Sequence, residues 1–132
     1  MHSEIEKLID HSFEYAQRLL IDTKEFYPFG AYIDTIGNVH PLEFEFNPKK
    51  MPQVKDVIES LTKYCENEMA DEKMNGYAIT YESQVKMNED DTENSCITIS
   101  IKHTSETKIP TFYQPFNIID ETVEFEDIFG VK

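Results

Sequence analysis

Phe26-Tyr27-Pro28-Phe29-Gly30-Ala31-Tyr32-Ile33-Asp34-Thr35-Ile36-Gly37-Asn38-Val39-His40-Pro41-Leu42-Glu43-Phe44-Glu45-Phe46 is the stretch on which the fold turns. In its second half Leu42, Phe44 and Phe46 alternate with Glu43 and Glu45, the period-two pattern of a strand with one dry and one wet face. In its first half Phe29, Ala31 and Ile33 share one face, and Gly30, Tyr32 and Asp34 share the other. Between the halves, an Asp34 carboxylate suits hydrogen bonding to backbone two residues on, and Gly37 suits positive φ; together they predict a hairpin with a short bulged loop. Pro28 and Pro41 have no N–H to donate, which puts Pro28 at a strand start or on an edge and argues for an edge or a bulge at Pro41.

A hairpin with one apolar face needs cover, and helical patterns flank it on both sides. From Ser3 to about Thr23, Ile5, Leu8, Ile9, Phe13, Ala16, Leu19 and Leu20 recur at three- and four-residue spacing. Ser3 followed by Glu6 reads as a capping box. A second helix is expected from about Pro52 to Lys73, with Val54, Val57, Ile58, Leu61, Cys65 and Met69 on one face and Asn75-Gly76 as its stop. Strands follow over Tyr77–Met87, with Tyr77, Ile79, Tyr81, Val85 and Met87 on one face, and over Cys96–His103, with Ile97, Ile99 and Ile101 inward. Lys108–Phe116, interrupted by Pro110 and Pro115, reads as an edge or irregular strand, and Thr122–Asp127 as a short last one. The order α-β-β-α-β-β-β, with Thr122–Asp127 as one further β where it forms, predicts a single α+β domain over residues 1–132: two layers, an antiparallel sheet of about five strands, and both helices on one face.

The sequence Phe26-Tyr27-Pro28-Phe29-Gly30, with Asp34-Thr35-Ile36-Gly37 behind it and Tyr113-Gln114-Pro115-Phe116 late in the chain, resembles small bacterial α+β proteins of unknown function that carry an F-x-P-F-G hairpin after an N-terminal helix. That resemblance covers the order of elements over most of the chain. It implies a fold and transfers no activity.

Charge narrows the partners. Twenty-six acidic residues against 12 basic ones give a formal net charge of −14. Arg18 is the single arginine. Phosphate-binding surfaces need clustered Lys and Arg, so nucleic acid and anionic membrane surfaces are expected to be repelled. Met1-His2-Ser3-Glu4 carries no apolar signal region, and no apolar run approaches the ~20 residues of a membrane span. A cytoplasmic protein with two free thiols, Cys65 and Cys96, is the expectation.

Motifs for chemistry are missing. The acidic loop Asn88–Asn94 has no glycine and falls short of a calcium loop. His2, His11, His40 and His103 show no zinc or metalloprotease spacing, although His40 and His103 lie at positions that a fold might bring together. There is no G-x-S-x-G, and the four glycines are scattered. The reading therefore assigns no catalytic residue, no cofactor and no metal. It expects a non-enzymatic interaction protein whose acidic surface meets a basic protein partner, an immunity protein that masks a basic toxin being one version. Glu43, Glu45, Glu89, Asp90, Asp91 and Glu93 are the candidate partner-binding residues. The alternative is a small-molecule-binding or enzymatic domain with a pocket between sheet and helices.

Overall fold

The structure, a computed structural model, describes residues 1–43, 49–86 and 94–132. Helix α1 spans Ser3–Thr23 and is followed by β1 (Phe29–Ile33) and β2 (Val39–Leu42). Helix α2 spans Val54–Ala70, and then come β3 (Gly76–Val85), β4 (Asn94–His103), β5 (Thr111–Ile119), β6 (Thr122–Phe125) and β7 (Phe129–Val131). The seven strands form one antiparallel sheet in the order β2-β1-β3-β4-β5-β6, with β7 paired to β5. The α+β class stands, with seven strands among the described residues where about five were expected.

The helices do not share a face. Ile5, Leu8, Phe13, Ala16 and Leu20 of α1 pack with Phe29, Ala31 and Ile33 of β1, Ala78 of β3 and Ile97, Ile99 and Ile101 of β4. Val57, Leu61 and Cys65 of α2 pack with Tyr77 and Ile79, and Tyr32, Leu42 and Tyr81 join them. Adjacent strand residues point to opposite faces, so Ala78 and Tyr77 look opposite ways and the helices sandwich the sheet. The one-face, two-layer expectation is corrected on this point. The reason lies in Gly76 to Thr80 of β3, buried without a break: a strand whose two faces are both apolar has to be covered twice. Among the described residues, helix α2 contacts only β1 and β3 of the strands, and no helix lies on the part of that sheet face formed by β4 and β5.

Local signals set the ends of the elements. Asp34 Oδ1 accepts from the amides of Ile36 (3.0 Å) and Asn38 (2.9 Å), and Gly37 sits at φ 93, as the hairpin reading required. Pro41 lies on β2, an edge strand. The cap of α1 differs from the expected Ser3 box: His2 is the N-cap, and its Nδ1 accepts the Glu4 amide at 3.1 Å. Helix α2 starts after Gln53 and stops before Asn75-Gly76. It closes with Glu72 at φ 59, while the Lys73 amide reaches the Glu68 carbonyl and the Glu72 amide the Met69 carbonyl, a Schellman closure made without glycine. Gly76 has a different task. A Cβ there would stand 2.7 Å from the His103 ring and 2.7 Å from the Lys102 carbonyl, so the glycine lets β3 approach β4 at that end.

Pro115 is the largest departure from pattern reasoning, because β5 is an interior strand, paired to β4 on one side and to β6 and β7 on the other. The amide and carbonyl of one strand residue point the same way. The Pro115 carbonyl accepts the Glu126 amide at 2.9 Å, so the proline nitrogen also faces the residues where β6 breaks off before β7. The donor that proline lacks is replaced: Gln114 Nε2 donates to the Glu126 carbonyl at 3.1 Å, and Gln17 Nε2 of α1 donates to Gln114 Oε1 at 2.7 Å. The buried Gln114 thus supplies one hydrogen bond of the sheet and ties it to α1.

Two substitutions test this architecture by chemical denaturation. Leu61→Ala should cost about 2–5 kcal/mol as a core truncation. Gln114→Leu should cost about 1 kcal/mol, because it removes the partner of the part-buried Glu126 carbonyl and of the Gln17 amide, whereas a sheet whose ladder were complete without Gln114 would tolerate leucine with little loss.

Candidate functional site

A cleft of about 540 Å³ opens where α1 ends and the chain turns back into β1. Tyr15, Leu19 and Thr23 line it at four-residue steps, one row of α1 beside its buried stripe. Lys24, at φ 66, terminates the helix by donating its amide to the Leu20 carbonyl. The extended Phe26-Tyr27-Pro28 segment then swings across the opening, since residues before proline avoid helical backbone. Phe29 forms the buried floor: Tyr15 meets it edge-on at 4.7 Å and Phe26 at 6.0 Å between ring centroids. The Tyr27 hydroxyl hydrogen-bonds the Pro52 carbonyl, tying the wall to the segment that enters α2.

Carboxylates rim this aromatic box. Glu43 closes one side, with its Oε1 accepting the Tyr15 hydroxyl at 2.8 Å. That hydrogen bond, helped by burial, raises the Tyr15 pKa, so the phenol stays a donor and fixes the Glu43 carboxylate at the mouth. Glu25 lies on the same rim. Glu82 of β3 feels its charge. Although Glu82 is exposed as a residue, its carboxyl group loses water against the sheet; desolvation first, and Glu25 second, raise its pKa. The site is apolar and aromatic inside and acidic at its edge. Such a shape suits a cation that carries its own apolar stem.

Of the candidate partner-binding residues, Glu43 lies on this cleft; Glu45, Glu89, Asp90, Asp91 and Glu93 lie outside the described residues. Tyr15, Phe26 and Phe29 escaped the sequence reading as site residues, because their helical spacing or strand parity reads equally well as core. The i, i+4, i+8 row of Tyr15, Leu19 and Thr23, displaced from the buried stripe, was the available signal. Tyr113 projects onto the helix-free part of the sheet, stacked on Phe129 at 5.4 Å, while Phe116 turns the other way into the α1 core.

The histidines find partners other than each other's expected ones. His40 Nε2 contacts Asp34 Oδ2 at 2.6 Å and stacks on Tyr32, far in the chain from His103. The backbone amide of Asn38 first, and the His40 ring second, hold the Asp34 carboxyl below the usual range. His103 instead meets Glu4, at 2.8 Å, and His2, at 4.7 Å between ring centroids. Both cysteines are buried packing residues, as expected; burial pushes Cys65 up to about 12 and raises Cys96 as well. No helix among the described residues is long and apolar enough to cross a membrane. Comparisons with protein-family models, curated proteins and solved structures found no match to this chain.

The raised, buried thiols give a direct check. A disulfide-exchange reagent at pH 8 should modify the native protein much more slowly than the same protein in denaturant. Rapid stoichiometric labelling in the native state would mean that the thiols are not packed as described.

Proposed function

We propose that this protein is a non-enzymatic interaction protein of the cytoplasm that binds a basic protein partner, taking a lysine or arginine side chain of that partner into the aromatic cleft beneath Glu43. The observation that carries this reading is the pairing of an aromatic floor with carboxylates at its edge, on a chain of net charge −14. An ammonium or guanidinium over an aromatic face gains about 0.5–1 kcal/mol when exposed and about 2 kcal/mol or more when desolvated. The alkyl stem fills the apolar interior, and Glu25 and Glu43 neutralise the head. The surrounding acidity acts at longer range by steering a cationic partner before contact. Two unpaired thiols fit a reducing compartment. Masking of a basic toxin is one biological use of such a surface. The cleft's polar groups are Tyr15, Thr23, Glu25, Tyr27 and Glu43, and the Tyr15 phenol, with its pKa raised, stays a donor to Glu43, which favours the binding reading over the enzymatic alternative.

Binding kinetics with a lysine- and arginine-rich peptide separate the two contributions. Raising salt should slow association, since screening shortens the reach of the charges to about 8 Å at physiological ionic strength. Glu43→Gln should lower the on-rate. Phe26→Ala should leave the on-rate alone and speed dissociation by about tenfold, the loss of about 1.4 kcal/mol of contact. Association indifferent to salt, with neither substitution altering the rates, would leave the acidity as a solubility feature and remove the cleft from the account.

A further inference from the structure

At the other end of α1, three potential metal ligands converge from opposite ends of the chain: ligand atoms of His2, Glu4 and His103 all lie within 4.8 Å of one another. We propose that they form a binding site for a borderline divalent cation of the zinc type, with His2, Glu4 and His103 as protein ligands and the remaining coordination positions open to water. Two imidazoles and one carboxylate suit such metals, whereas magnesium and calcium call for oxygen ligands.

The site is held from several directions. Helix α1 carries Glu4 in its first turn, and His2 is its N-cap. His103 ends β4, with only 2% of its side chain exposed, and Gly76 leaves the room its ring occupies. His103 Nε2 and Glu4 Oε1 stand 2.8 Å apart, a separation that two ligands at about 2.0–2.2 Å from a shared ion adopt with little movement. Outer partners are in place as well. Asn75 Nδ2 donates to Glu4 Oε1 at 3.3 Å, and Ser105 Oγ lies 2.8 Å from His103 Nδ1.

Without metal, the Ser105 amide donates to His103 Nδ1 at 3.0 Å, which leaves Nε2 as the protonated nitrogen, donating to Glu4. When Nε2 takes a cation, the ring proton moves to Nδ1 and donates to Ser105 Oγ, the outer hydrogen bond that metal-bound histidines normally make. The metal-free network is complete, so the ion is an optional ligand and folding proceeds without it; on binding, the Ser105 amide gives up Nδ1 as its acceptor while Ser105 Oγ takes the new Nδ1 proton. The positive end of the α1 dipole opposes a cation here. The Glu4 carboxylate counters it, and so does Glu106, whose Oε1 accepts the His2 amide at 3.4 Å.

The test uses the full chain without added histidines, stripped with chelator and titrated with Co²⁺ and Zn²⁺. One Co²⁺ per chain should bind with visible ligand-field absorption and be displaced by Zn²⁺. At about a hundredfold excess of Zn²⁺ over its Kd, Tm should rise by about 5–10 °C. His2→Ala, which removes an exposed ring, should weaken binding by at least about tenfold while the metal-free protein stays folded, and His40→Ala should change nothing. His103→Ala should abolish binding. If that variant does not fold, His2→Ala decides the matter. Absence of a Co²⁺ spectrum and of a Zn²⁺-dependent Tm shift, or binding unaltered by His2→Ala, would overturn the site.

Discussion

Everything in this fold depends on covering β1 and β3 from both sides. Their central residues alternate between two apolar layers: Ala31 and Ala78 lie under α1, Tyr32 and Tyr77 under α2. Transfer of both faces from water is the main favourable term available to a chain of this size, and it cannot be realised with the helices on one side. The crossing of α1 over the first layer then determines where chemistry can occur. Its N-terminal turn lands at the junction of β3 and β4, where Glu4 meets His103. Its C-terminal turn overhangs the start of β1, where the aromatic cleft opens.

Much of this was readable from the residues. Both helices and the parities of β1, β3 and β4 follow from periods of 2 and 3.6, and Asp34 and Gly37 gave the hairpin turn its chemistry; of the Leu42–Phe46 alternation, β2 holds only Leu42, and residues 44–46 lie outside the described residues. Period alone does not say which face a helix covers. Tyr32, Tyr77, Ile79 and Tyr81 mark a second apolar layer, but tyrosines on strands also suit a half-wet face, and the two-layer reading took that simpler course. Pro115 misled for a related reason. Proline was read as excluding an interior strand, while the structure places its missing donor at a break in the neighbouring strand and fills the gap with the Gln114 side chain. That substitution is a long-range arrangement of Gln17, Gln114 and Glu126, with no local signature.

The same limit applies to the sites. In the sequence Glu43 is one wet position of an alternating stretch; in the fold Tyr15, 28 positions earlier, orients it beside Phe29. His2 and His103 stand at no short metal-ligand spacing in the sequence, and only the closure of α1 onto β4 brings them together. Acidity, by contrast, was legible at once. Its meaning changes with place: diffuse over the surface it keeps molecules apart, and beside an aromatic cleft it is what the proposed recognition of positive charge rests on.

The central claim is that the cleft under Glu43 recognises a cationic side chain. Chemical-shift mapping addresses it most directly: a lysine- and arginine-rich peptide titrated into isotopically labelled protein, with an acidic peptide of equal length as control. The account predicts saturable shifts concentrated at Tyr15, Leu19, Phe26, Phe29 and Glu43, lost in Glu43→Gln and not produced by the acidic peptide. Shifts spread evenly over the acidic surface, or centred on Tyr113 and Phe129 across the sheet, would contradict it.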